Sequence, residues 1–532
     1  MHGPNRFSIP AMREFVPEKA RPWIVLIFVI IFQFSGGIYL SAVGEMVGSL
    51  SLLQEDIMMA GYASLAGMGL TFTVMFRLKF RFETKTALQT CAAVIISANI
   101  ICMCTRSVPV LIVTCFIAGI FRMWATFECN STIQLWLTPQ RDLSVFFCFI
   151  YILVQSCMQL SGMLTVYTTF WSKWEYMHLL IVGLLLILML ATRILFRSFR
   201  GIKKLPLYGI DWLGGVMWGI TLLCILFVLV YGEHYDWFDS IYIRAALAAA
   251  VIITGLNLWR SSFIRHPFIS LDVWRQPAVY TTALIYIVVN LLLAPGHLLD
   301  HILMTEILHY DEPNLISLNL ASLAGIFTGC FFTWQTFARR KWPYKRMTAI
   351  AFACITVYLM IFYFTIDYNL SKSALAFPIF FRNVGYVIIG IIFLTVLSRV
   401  PFSIFPQALS VQSFMSASVG SVLGSAILTR ILLVIQTRNN VWLGETLDNV
   451  NPLSGRIPFS EIYGLLHKQA LIVSMKEIYG WLIWISLFCL ALFLIRENSE
   501  RPIRALQPPF RRIRRYIAHS LNDIQKSGTF GE

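Results

Sequence analysis

Fourteen stretches of about 20 or more apolar residues, separated by short charged or Pro/Gly breaks, run along this 532-residue chain, and each is long enough to cross a bilayer as a helix. In lipid a backbone must satisfy its own hydrogen bonds, so apolar runs of this length dictate helices. The expected fold is an all-α polytopic membrane protein with 14 transmembrane helices. The first six spans are Trp23 to Gly48, Ile57 to Phe76, Thr86 to Thr105, Val108 to Leu137, Leu143 to Phe170 and Tyr176 to Phe196. Ile210 to Tyr231 and Ser240 to Trp259 follow, then Ala278 to Leu298, Leu315 to Phe337, Met347 to Ile366, Ser373 to Leu397, Pro401 to Gln436 and Ile478 to Ile495. Charged residues make up only 13% of the chain, about half the share of a soluble domain. A soluble enzyme is excluded, and the absence of a Gly-x-x-x-x-Gly-Lys loop argues against ATP-driven work.

The net charge of +15 needs no nucleic acid to explain it, because basic residues gather in alternate loops. About 31 of the 42 Lys and Arg fall on the side of the amino terminus, in loops such as Arg77 to Lys85, Arg260 to Arg275 and Arg339 to Arg346. The opposite loops are acidic, as at Glu55-Asp56 and Glu233 to Asp239. Both termini are therefore expected in the cytoplasm, with the lipid bilayer as the main partner. The arginine-rich tail after residue 496 reads as an interfacial segment on anionic lipid. All eleven cysteines lie in apolar runs without a CxxC pair and read as small fillers.

The chain also repeats itself. "FRLKFRFETKTAL" after the second span matches "FARRKWPYKRMTAI" after the tenth, and "GIFRMW" around Arg122 matches "IFFRNV" around Arg382. The spacings, 261 and 260 residues, fit two six-helix bundles in parallel repeat with two helices inserted between them. The expected division is a segment 1–22, a bundle 23–197, the inserted pair 198–277, a second bundle 278–496 containing an external loop 437–477, and a basic tail 497–532.

This six plus two plus six pattern resembles the fourteen-helix drug:proton antiporter branch of the major facilitator superfamily. "GIDWLGG", "YGEHYDWFDSIYI" and "HPFISLDVWRQPAVYTT" are similar to that branch's signatures around its extra helices, and "SVGSVLGSAIL" to its glycine-rich carboxy-terminal motif. The basic residues after the second span stand without the family's aspartate, the first span has no embedded aspartate, and the fifth offers only Gly162 of the antiporter motif. The resemblance implies proton-driven efflux of lipophilic or amphipathic small molecules across an inner membrane, with no bound cofactor. It also implies hand-over to a periplasmic adaptor and an outer-membrane channel. Proton-coupled uptake of a specific metabolite and a non-transporting scaffold or sensor remain as alternatives.

A charge kept in the hydrocarbon core costs about 2.5 to 3.5 kcal/mol, so buried ionisable residues are the place to look for function. Arg122 with Thr126 one turn on, Glu128, Glu45 and the repeat partner Arg382 are candidates for proton coupling or a substrate cavity. Beyond Pro295-Gly296, His297, Asp300 and His301 read as an outer vestibule, with no metal expected. Gln407, Gln412 and Ser413 offer uncharged hydrogen-bonding groups to a substrate.

Overall fold

The computed structural model of the chain describes residues 12–495 apart from 37, 42, 51, 139–141, 199–205, 369 and 446–457. Its described part is helical, apart from one isolated bridge between Met12 and Phe196. Thirteen of the described helices are long and apolar enough to cross a membrane. Numbered with the short apolar helix α1 (Arg21–Phe34) ahead of them, they are α2 (Gln54–Arg81), α3 (Thr84–Cys104), α4 (Val108–Leu137), α5 (Leu143–Trp171) and α6 (Glu175–Leu195). Then come α7 (Trp212–Tyr231), α8 (Ile241–Ser261), α9 (Pro277–Ile307), α10 (Glu312–Arg339), α11 (Tyr344–Thr365), α12 (Lys372–Leu397), α13 (Phe405–Glu445) and α14 (Phe459–Ile495).

Two features depart from the sequence expectation. The first span is not one helix: α1 ends at Phe34, and the short helices Ile38–Ser41 and Val43–Leu50 follow. Ser35 and Gly36 make the break, where helix propensity is low and where a Cβ on Gly36 would overlap the guanidinium of Arg122. The expected loop 437–477 is largely helical instead. α13 runs on to Glu445 and α14 begins at Phe459, because the two extensions pair with each other: Asn439 Nδ2 donates to Ser474 Oγ at 2.9 Å, Gln436 meets His467 at 3.3 Å, and Arg438 pairs with Glu477. Residues 446–457 and the basic tail 497–532 lie outside the described residues.

The buried side chains form two main cores. One gathers α1 to α4 and α6 to α8 and takes in Ala408, Val411 and Phe414 at the start of α13; the other is built from α9 to α14. A third, smaller cluster joins Phe146, Phe147 and Cys148 of α5 to Ile326 and Cys330 of α10 and Val387 and Ile391 of α12. α5 against α10 and α12, and α2 against α13, are thus the two seams where the halves meet. On the second seam Thr73 and Ser410 share a hydrogen bond of 2.7 Å. α7 lies over this seam, packed on α2 and α13. The Tyr231 hydroxyl donates to Asp56 in the first turn of α2, and Glu233 just past α7 pairs with Arg430 of α13 at 3.2 Å.

Candidate functional site

Between the halves lies a cavity of about 1500 Å³, larger than the roughly 300–1,000 Å³ of ordinary small-molecule sites. Most of its surface is apolar, with methionine and aromatic side chains prominent, among them Met58, Met68, Phe72, Phe76, Phe127, Phe146, Phe147 and Tyr386. Gln33, Asn130, Asn290, Gln412 and Ser413 supply polar atoms. An adaptable apolar surface interspersed with hydrogen-bonding groups suits amphipathic ligands.

The carboxy-terminal half contributes charge to this cavity. Asp300 and Arg382 both line it and form an ion pair of 3.1 Å, with the Asp300 side chain 3% exposed and that of Arg382 19%. α9 places Asp300 just past a break at Ala294–Gly296 and ahead of a π-helical turn, Leu303–Ile307. Pro295 forces that break by removing a backbone donor. The hydroxyl of Tyr358 on α11 also donates to Asp300, at 3.3 Å, and so does that of Tyr479 on α14. The Arg382 guanidinium lies 5.8 Å from the ring centre of Tyr358 and against Gly296, where a Cβ would overlap it.

The amino-terminal half repeats part of this arrangement. Arg122 of α4 lies against Gly36 as Arg382 lies against Gly296, and both arginines and both glycines are 260 residues apart. Arg122 sits behind the cavity wall, however, in contact with Met68, and its Nε has no hydrogen-bond partner among the described residues. Thr126, one turn on, does line the cavity and accepts from Gln33 Nε2 at 3.2 Å.

The other sequence candidates fall in several places. Glu128 is fully buried, away from the cavity, and pairs with Lys79 of α2 at 2.7 Å. Glu45 belongs to the short helix Val43–Leu50, and its side chain lies outside the described residues. His297 lines the cavity beside Asp300, and His301 does so 3.9 Å from Glu312. Gln412 and Ser413 line it too, and Gln412 donates to Tyr286 at 3.3 Å. Gln407 is turned away, accepting from Ser270 N and Oγ at 2.9 Å each and so tying α13 to the segment that follows α8. Sequence reasoning did not find Tyr358, Tyr479 or Gly36, and it read Gly296 only as part of a helix break; the 260-residue spacing would have flagged the glycines as a pair.

At the end of the bundle carrying the basic loops, Asp142 before α5 and Lys341 after α10 meet at 3.1 Å. Partial burial pushes the Asp142 carboxyl up, but hydrogen bonds from Ser144 and Lys341 and the lysine charge outweigh this and hold it below its ordinary value.

No protein-family profile matches the chain, and no curated protein matches it. Solved structures match it along nearly its whole length. An auto-inhibited POT family peptide transporter superposes with a TM-score of 0.55 at 14% identity, covering 92% of this chain and 98% of its own. The nucleoside transporter NupG gives 0.51 at 11% identity, with coverages of 89% and 98%. A bacterial homologue of the human lysosomal transporter Spinster, inward-facing and unoccupied, gives 0.50 at 12% identity, with 91% and 98%. The chain thus has a fold of the major facilitator type.

Proposed function

We propose that the protein is a secondary transporter that moves amphipathic small molecules by alternating access of its two halves, driven by the proton gradient. The observation that carries this reading is the large cavity at the junction of the halves, lined with apolar side chains and containing one buried ion pair. A cavity on a seam opens to either side when the halves rock. The fold likeness to peptide, nucleoside and Spinster-type transporters supports it. In the leading form of the reading, the protein sits in an inner membrane with both termini in the cytoplasm and exports lipophilic compounds in exchange for protons. Glu128, Glu45 and Arg122 are then its coupling candidates, and the stretch from Asn439 to Glu477 contacts a periplasmic adaptor.

A second form is proton-coupled uptake of a specific metabolite. The amides of Asn130, Asn290 and Gln412 on the cavity wall favour it, since fixed hydrogen-bonding groups recognise particular polar substrates.

The test is flux through purified protein in liposomes under an imposed pH gradient, with fluorescent lipophilic cations, neutral drugs, dipeptides and nucleosides as the panel and Arg122→Ala as control. Movement against the gradient of protons supports export, and movement with it supports uptake. A ligand-induced change in helix accessibility without any flux would point to a sensor or scaffold. Full pH-driven transport in both Glu128→Gln and Glu45→Gln would remove those residues from the coupling step. Deleting 446–457 should abolish adaptor pull-down while the transporter stays folded; an unchanged pull-down rejects that contact.

A further inference from the structure

The two repeat-related arginines differ in one respect that bears on what the cavity binds. Arg122 is held against Gly36 with no carboxylate partner among the described residues, and Leu40 stands 260 residues before Asp300. Packing an arginine against the glycine of its half therefore does not require a carboxylate. The carboxylate is present in the half whose arginine faces the cavity. Three elements aim donors at it: Arg382 from α12, Tyr358 from α11 and Tyr479 from α14. On its own helix, His297 lies one turn before it, and His301 is engaged by Glu312.

A proton on Asp300 would leave the Arg382 charge facing the cavity without a counter-ion, an arrangement a desolvated site resists. The group that best restores it is another carboxylate. A guanidinium can donate two parallel hydrogen bonds to a carboxylate, and Arg382 already donates one to Asp300 here. The surrounding methionine and phenylalanine surface accommodates an apolar body attached to that carboxylate.

We propose that protonation of Asp300 converts Arg382 into the docking cation for an amphipathic carboxylate, so that proton and carboxylate load the cavity together. The step makes only one O–H bond, on an Asp300 carboxyl oxygen, with the proton drawn from water in the cavity. The ion pair to Arg382 breaks as the ligand's carboxylate replaces it. The empty site is neutral as an ion pair, and the site carrying both proton and ligand is neutral again. Carrying either alone, it has a net charge of one unit, which opposes closing the cavity around it. Loading of this kind is co-transport, so the proposal rests on the transporter reading above and selects its second form for acidic substrates.

Binding tests the site without relying on transport. Purified protein in nanodiscs is titrated with N-dansyl-phenylalanine, whose carboxylate stays ionised throughout, and with its methyl ester as a neutral match. The acid should bind about tenfold more tightly at roughly pH 5.5 than at roughly pH 8, while the ester binds equally at both. Asp300→Asn should bind the acid at both pH values with the affinity wild type shows at the lower one. Arg382→Gln should bind acid and ester alike. If Asp300→Asn does not fold, Tyr479→Phe replaces it: removing a donor to the carboxylate should move the midpoint of acid binding to higher pH. Acid binding that is flat with pH in wild type, or an acid preference that survives Arg382→Gln, overturns the proposal. A pH-linked acid site in a protein that moves nothing across liposomes rejects the transporter reading and leaves the site standing.

Discussion

Lys341 Nζ lies 3.1 Å from a carboxylate oxygen of Asp142, joining the two halves at the basic-loop end of the cavity. Lys341 reaches across from a left-handed backbone conformation, φ 54°, that non-glycine residues rarely adopt. Each partner keeps 40% of its side chain exposed, so the pair contributes no more than about 1 kcal/mol. That is enough to shift the closed population of this end about fivefold. Asp142→Asn should lengthen the mean separation of spin labels on the α4–α5 and α10–α11 connections. Because the Asp142 carboxyl is held below its ordinary value, the contribution is full above about pH 3.9 and is lost as pH falls below that. The difference between variant and wild type should therefore be the same at pH 5 and pH 8; a difference that shrinks between them would contradict the assignment.

The Lys79–Glu128 pair should behave as an internal brace. Removing one partner of a buried pair leaves a charge uncompensated and costs about 3–5 kcal/mol. Lys79 retains 22% exposure, so Glu128→Gln should cost less, about 2–3 kcal/mol. The double variant Lys79→Met, Glu128→Gln should recover most of that loss in thermal unfolding, since two neutral groups replace two charges. Losses that simply add would show that the two residues do not act as a pair.

Gln412 should matter more to ligands than to folding. Its one hydrogen bond, to Tyr286, is long at 3.3 Å, and its Oε1 has no partner among the described residues. Gln412→Leu should change stability by less than about 1 kcal/mol while raising KM for hydrogen-bonding substrates. An equal effect on purely lipophilic ones would indicate a change in cavity shape instead.

The sequence announced the helices because lipid leaves an apolar run no alternative to the helix, and α2 to α13 begin or end close to where those runs do. It announced less where polar residues keep a helix going. The stretch from Phe459 to Glu477 looks like a loop by hydropathy, yet it extends α14 because its partners lie on α13, far away in sequence. Arg382 and Asp300 were both legible as buried charges, but their pairing was not, since 82 residues and the break at Pro295 separate them. Arg122 and Glu128 were legible in the same way. Only the packing reveals that one lies behind the cavity wall and the other against Lys79.

The two glycine–arginine contacts give the last prediction, and it turns on free space. A Cβ at Gly36 or Gly296 would overlap the facing guanidinium, so alanine at either position forces that arginine to move. Arg382 borders the cavity and has somewhere to go, whereas Arg122 is enclosed, with 5% of its surface exposed. Gly36→Ala should therefore destabilise by about 2–3 kcal/mol and Gly296→Ala by about 1 kcal/mol, at opposite ends of the overpacking range. The Gly36→Ala loss should be relieved when Arg122 is shortened to Gln, because the clash is with the end of that side chain. Thermal unfolding of the single and double variants measures both effects. An Arg122→Gln change that adds to the Gly36→Ala loss, without offsetting it, would mean that the guanidinium is needed where it lies for more than packing.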